Sequence, residues 1–411
     1  MSYMMVPLRP FRQETFRFSI REVSSGYERR RFARSVRGIY QGDLYGVPPL
    51  LCRRSNTLNP ARNPALASAE MGLFLAESSS FGLGSEQVVG TIAALVDHQY
   101  NEAHKANVGF FGLFETINNQ EVATALLEAA ETWIVEHLPG IKSVRGPAGL
   151  DCPYLPGILI DGFHLRPSSF LPYNPPCYPE LIETAGYERS DNLLVYSLAI
   201  AGWTPAAQTT AAELRAGRRL TIRRLSAQEL SPAGGSKRRP AGRVFRNGWM
   251  LACGAATLKV GLPYATVEGV IHLVERLKPR LDPALALTCE HDGEPIAAAL
   301  ALPDAGIVPS NTGLRGHQAW HRSLLPGRLW QWMSSLKPDG IWVLPASVEP
   351  ASFGQGLEKL LYSEITAIAA RRGYRHVEFW PVAADDAATR QILESIGARV
   401  SKVYQVYEKV F

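Results

Sequence analysis

Apolar and polar positions along the C-terminal part of the chain fall into runs of two periods. Ile341 to Ser347 is extended and largely apolar. After a short turn, Leu357 to Arg371 repeats apolar residues at helical spacing, at Leu360, Leu361, Ile365 and Ile368. Tyr374 to Val382 then predicts a strand, Asp386 to Ser395 a helix, and Arg399 to Phe411 a last strand in which apolar and polar residues alternate. Leu285 to Glu290 and Ile296 to Leu302 supply two more strands upstream.

A second run of similar elements precedes these. Val108 to Glu115 matches Ile341 to Ser347, and Leu126-Leu127 in a predicted helix, Glu121 to His137, matches Leu360-Leu361. Each leucine pair is followed at the same spacing by a strand ending in proline, Pro147 and Pro381, and Thr132 coincides with Thr366 without a gap. Asn192 to Leu198 adds another strand. A repeat this long exceeds a solenoid unit and implies two fused copies of one domain. The expected organisation is an irregular extension over 1–15, a first domain over 16–202, an Ala/Thr-rich linker over 203–217 and a second domain over 218–411.

The most informative segment is the turn from Val348 to Leu357, V-E-P-A-S-F-G-Q-G-L. Gly354 and Gly356 let backbone N–H groups approach a ligand where a Cβ would obstruct, and the start of the following helix adds partial positive charge. Strand, glycine turn and helix in this order suit a pyrophosphate. The segment resembles the acyl-CoA motif of the GNAT acyltransferases, (Q/R)-x-x-G-x-(G/A), with Gly354 and Gly356 on its glycines and Ala351 where the family has Gln or Arg. Tyr173 to Tyr187 resembles that family's N-x-x-A-x-x-x-Y-x-x-x-G-F region, with Asn174 on the asparagine. In the second copy the corresponding asparagine and tyrosine are replaced by Asp386 and Leu393.

The resemblance implies an α/β fold with a mixed sheet, built as two tandem GNAT domains. The gapless alignment sets Gln120 and Val122 opposite the two glycines, so the first copy is expected to be degenerate at the phosphate loop, with Asn118, Asn119 and Gln120 acting as a helix cap. It also implies N-acyl transfer by direct attack. An acyl group, with a fatty acyl group among the options, would pass from acyl-CoA, or from the phosphopantetheine of an acyl-carrier protein, to a primary amine of a peptide, an amino-acid derivative or a lipid. On this reading the Val348 backbone N–H meets the thioester carbonyl, and Ser352, Phe353, Gly354, Gln355, Gly356 and Leu357 contact the diphosphate.

Direct aminolysis needs a base for the amine and, at most, an acid for the thiolate. Glu378 is the first candidate base, because it shares strand parity with Trp380 and Val382 and so places a carboxylate on an apolar face. The alternative is a salt-bridged glutamate at the sheet end. Glu115, closing the equivalent strand of the first copy, is the second candidate, with helix capping as its alternative. His376 is a weaker one. Tyr404 and Tyr407 on the last strand are candidate acids, or simply packing. Asn174 is expected to cap the helix after it. Phe110, Phe111 and Phe114 are expected in the core, as are Trp330, Trp332 and Met333. Asp97, His98 and His104 read as a polar loop or strand end, not as metal ligands.

Composition changes this picture little. At 411 residues, 46% hydrophobic and 20% charged, the chain has enough material for two ordinary domains. No apolar run is long enough to span a membrane, and the first residues lack a signal-peptide core, so a cytosolic protein is expected. Five scattered cysteines without a CxxC pair signal neither disulfides nor zinc. A net charge of +5 gives no sign of DNA binding. Arg29, Arg30, Arg31, Arg34 and Arg37 cluster on one predicted helix, a solvated face or a site for an acidic carrier protein, a CoA phosphate, RNA or an anionic membrane. Two rival functions stay open. One is an aminoacyl-tRNA-dependent transferase of doubled GNAT fold, although the helical hairpin of those proteins is not found here. The other is a non-catalytic module that binds an acyl thioester.

Overall fold

The computed structural model describes residues 16–40, 58, 69–78, 87–149, 157–168, 171–203, 220–225, 229, 281–304 and 338–411. In the first half, β1 (Phe18–Glu22), α1 (Gly26–Ile39), β2 (Ala69–Ser78), β3 (Gln87–Asp97), the short α2 (His98–His104) and β4 (Val108–Thr116) follow in order. The four strands pair antiparallel as β1-β2-β3-β4. α3 (Gln120–His137) then crosses over, and β5 (Ser143–Ala148) runs parallel to β4. β4 is buried along its whole length because helices cover both faces. Phe111 and Phe114 pack with Leu126, Leu127 and Ile134 of α3, whereas Phe110 packs with Phe32 of α1. A near-continuous apolar strand is the expected signature of a sheet covered twice. Contact is close enough that a Cβ on Gly109 would lie 2.2 Å from Ile134.

The first half continues with β6 (Ile158–Asp161), α4 (Tyr178–Thr184) and β7 (Glu188–Ala199). The second half repeats the order. β8 (Leu220–Arg224), β9 (Ala286–His291), β10 (Glu294–Asp304) and β11 (Gly340–Val343) pair antiparallel. β12 (Ser347–Val348) returns to β10, α5 (Leu357–Arg371) crosses over, and β13 (His376–Phe379) runs parallel to β11. β14 (Val382–Ala383), α6 (Ala387–Ser395) and β15 (Arg399–Val410) complete the chain. α5 buries Leu357, Leu360, Leu361 and Ile365, each worth roughly 1.5–3 kcal/mol of transfer free energy.

The two halves exchange their final strands. β15, from the second half, pairs with β5 of the first, and β7, from the first half, pairs with β13 of the second. β7 and β15 then pair with each other, so one sheet of fifteen strands runs β1-β2-β3-β4-β5-β15-β7-β13-β11-β10-β9-β8 along its main path. β6 is attached to β15, and β14 to β7.

Two predicted strands are interrupted. Tyr374 to Val382 is β13 and the separate β14, because Pro381 has no N–H to continue a ladder. Ile341 to Ser347 divides into β11 and β12. Residues 1–15, 204–217 and the segment with Trp330, Trp332 and Met333 lie outside the described residues.

Candidate functional site

The break between β11 and β12 shapes the site. The register pairs Val343 with Ala301 and Ser347 with Ala298, so three residues, Leu344 to Ala346, face only Ala299 and Leu300 on β10. This one-residue bulge contains Pro345, which has no donor to offer a ladder. The bulge reverses the alternation of N–H groups. Leu344 donates to Leu300 O at 2.9 Å and, beyond the bulge, Glu349 donates to Ile296 O at 2.8 Å. Ala346 and Val348 therefore turn their N–H groups away from β10. The Tyr362 hydroxyl, from α5, accepts the Ala346 N–H at 2.9 Å.

On the other side, β13 leaves β11 at the same level. The last contact along this pair is the Trp380 N–H to Val343 O at 2.9 Å, and Pro381 follows. The two parallel strands thus part beyond Val343, on the side of β12 to which the Val348 N–H turns.

Glu349 to Gly356 then connect β12 to α5. Ser352 and Phe353 spend their N–H groups on Glu349 O, at 2.8 Å, and Pro350 O, at 3.3 Å. Gly354 and Gly356 adopt φ of +74° and +76°, the left-handed region open to glycine at little cost. Among the described residues, a Cβ on Gly354 would meet no atom within 4 Å. Gly356 is the N-cap of α5 and brings no side-chain hydrogen bond, leaving the first-turn N–H groups uncapped by a side chain. Of the expected diphosphate contacts, the amides of Ser352 and Phe353 are committed internally.

In the first half the same position is filled by helix. α3 begins at Gln120, and its N-cap Asn119 accepts the Val122 N–H at 3.0 Å. Only Ile117 to Asn119 separate it from β4. Matching the helices at their C-terminal ends, His137 with Arg371, puts an extra turn of α3 where the second half has its glycines. The Ala123 N–H is bonded to Asn119 O at 3.1 Å within that turn.

The candidate acids and bases are spread over both halves. Glu378 is 6% exposed and forms an ion pair with Lys402, which is itself 5% exposed. Burial pushes the Glu378 carboxyl up, Lys402 opposes this, and nearby Asp304 adds to the rise. Asp304 accepts from Ser168 at 2.6 Å, so polar residues of three strands, Asp304, Glu378 and Lys402, are grouped with Ser168. The partner Lys402 escaped the sequence reading. Its only signal there was a lysine on the last strand, whose place beside β7 depends on the exchange. Tyr404 donates to Pro172 O at 2.8 Å and packs with Trp342 and Trp380, and burial holds its phenol well above the usual range. Tyr407 packs against α3 in the first half, where its hydroxyl donates to Glu183 at 3.0 Å. The exchange of β15 therefore places the two tyrosines in different cores.

Glu115 is buried in the first half and accepts from Tyr40 at 2.7 Å and Tyr178 at 3.1 Å. It caps no helix. Asn174 corrects another expectation: its side chain bonds the backbone N–H and C=O of Leu159, at 2.7 and 3.2 Å, and the N-cap of α4 is Cys177. His376 is half-buried and packs against Gly340. Asp97 caps α2 and His98 pairs with Glu70. Among the described residues no group of three or more His, Cys, Asp or Glu is arranged to hold a metal, and no helix is long and apolar enough to cross a membrane.

No protein-family model matches the chain. It is 25% identical to Protein YghO of Escherichia coli (strain K12) over 380 residues, covering 90% of each chain. It is 23% identical over 409 residues to the Bacterial ceramide synthase of Caulobacter vibrioides (strain NA1000 / CB15N), covering 97% of this chain and 99% of that one. Among solved structures, a tandem GNAT protein from the clavulanic acid biosynthesis pathway superposes with a TM-score of 0.52 at 11% identity, over 96% of this chain and 98% of the other. A GCN5-related glucosamine N-acetyltransferase region of a fungal multi-domain β-N-acetylglucosaminidase gives a TM-score of 0.52 at 11% identity, over 97% of this chain and 38% of that one. The repeated order of elements and these likenesses agree on the fold: a mixed α/β sheet built from two tandem GNAT copies.

Proposed function

We propose, starting from a fold of two tandem GNAT copies, that this protein is an N-acyltransferase moving an acyl group from acyl-CoA to the amine of a lipid. The observation that carries the reading is the second copy's parted strand pair, with the Val348 N–H turned to that side and glycine-flanked amides at the start of α5. Amides at a helix start favour a diphosphate, which CoA has and a carrier protein's phosphopantetheine lacks, so acyl-CoA is the preferred donor. The first copy, whose corresponding turn is helical, is assigned to shaping the acceptor side.

The lipid amine rests on the full-length likeness to the Bacterial ceramide synthase. A ceramide is the amide of a fatty acid with a long-chain amino alcohol, so the bond to be made is N-acyl. In the reaction the amine nitrogen forms a bond to the thioester carbon, the C–S bond breaks, and the thiolate leaves. The Val348 N–H stabilises the oxyanion between these events. The amine's proton passes to Glu378, whose raised pKa lets it hold a proton nearer neutrality than an exposed carboxylate can.

Gly354→Ala tests the donor site. The added methyl meets no atom of the described residues, so its cost to folding is set by the left-handed backbone, about 1–2 kcal/mol. Calorimetry should show CoA binding weakened by about tenfold, equivalent to ~1.4 kcal/mol. Unchanged affinity would remove the diphosphate from this loop and the reading with it.

A further inference from the structure

We propose that Tyr362 is a positioning residue for acyl transfer: its hydroxyl holds the bulge that aims the Val348 N–H at the thioester. This rests on the reading of Val348 as the oxyanion donor. The bulge turns two N–H groups away from β10, those of Ala346 and Val348. Ala346 is buried, and its N–H is received by the Tyr362 hydroxyl at 2.9 Å. Tyr362 is itself buried on the second turn of α5, with its ring edge-on to Phe379 of β13 at 5.5 Å between centroids. It therefore touches both parted strands, β13 by its ring and the bulge by its hydroxyl.

The alternative register explains why the hydroxyl matters. Without the bulge, the ladder begun by the Leu344 N–H would continue through Ala346 and Val348, and both N–H groups would be spent on β10. An unsatisfied buried N–H favours that register, and a partner for the Ala346 N–H favours the bulged one. Tyr362 supplies that partner from the helix whose N-terminus faces the donor's phosphates. The same helix thus fixes the two ends of the donor site.

Tyr362→Phe keeps the ring and removes the hydroxyl. Steady-state kinetics should show kcat reduced roughly tenfold to a hundredfold, the scale of a misplaced reacting group, with CoA affinity by calorimetry within about twofold of the unsubstituted protein. An unchanged kcat overturns the proposal. So does a parallel loss of CoA affinity, which would mean that the whole helix had shifted, and so does a displaced alkaline limb in the pH profile, which would make Tyr362 the acid for the thiolate. Hydrogen exchange on the unsubstituted protein gives a readout free of activity and of variant folding: the Ala346 amide must be protected, and rapid exchange there overturns the proposal. If no acyl-CoA is turned over but the amide is protected, the acyltransferase reading fails while the Tyr362 contact stands.

Discussion

Glu378 and Lys402 show how burial sets the behaviour of single residues in this protein. Both are nearly inaccessible, so removing one leaves the other as a buried unpaired charge. Lys402→Met should destabilise the protein by about 3–5 kcal/mol near neutral pH, and the double variant with Glu378→Gln should recover most of that. The pH dependence has a definite sign. A carboxyl with its folded pKa raised binds its proton more tightly in the native state, so the stability it contributes is present at low pH and lost as pH rises through the native value. The Lys402→Met deficit should therefore shrink in denaturant titrations run at lower pH, as Glu378 becomes neutral. If Glu378 is also the base, the double variant regains stability without regaining turnover. Sequence parity located the carboxylate on an apolar face. It could not supply the cation, which comes from a strand whose neighbours are set by the whole sheet.

The two crossover helices are similar elements with different starts. α3 is capped by Asn119, whereas α5 starts from an uncapped left-handed glycine. A side-chain cap satisfies the same first-turn amides that an anion would use, so a helix start serves stability or ligand binding more readily than both. Asn119→Ala should accordingly lower the melting temperature, through a loss of about 1 kcal/mol, and leave CoA affinity unchanged. Gly354→Ala should instead lower stability and CoA affinity together. The helices themselves were legible in the sequence, since Leu360, Leu361, Ile365 and Ile368 keep one face at a period that no strand shares. The bulge before α5 was not. The sequence reading runs one strand through Pro345, and only the register against β10 shows the break and which N–H groups it redirects.

At the scale of the molecule, the exchanged strands make the halves interdependent. β15 is paired on both sides, with β5 and β7, and its two lysines reach opposite halves, Lys402 to Glu378 and Lys409 to Glu131. Deleting residues 399–411 should therefore unfold the first half as well as the second, exposing the apolar faces of α3 and β5. Far-UV circular dichroism and binding of a hydrophobic dye check this. A truncated chain that keeps a folded, protease-resistant first half would show that the exchange is dispensable. The sequence repeat announced two copies correctly, but a repeat is a statement about local order and carries no information on which copy receives which strand.

The chain's own pattern determined what is local: the helical and extended runs, the doubled order of elements, the left-handed turn at Gly354 and Gly356, and the GNAT fold these imply. These follow from periodicity and backbone sterics within a few residues of each position. The tertiary structure alone decided the exchange of β7 and β15, the Glu378–Lys402 pair, the separation of Tyr404 from Tyr407 and the hold of Tyr362 on the bulge. Each of these joins residues far apart along the chain, through strand pairing and burial. No local period encodes such contacts, because many registers satisfy the same alternation and only the packed sheet selects one.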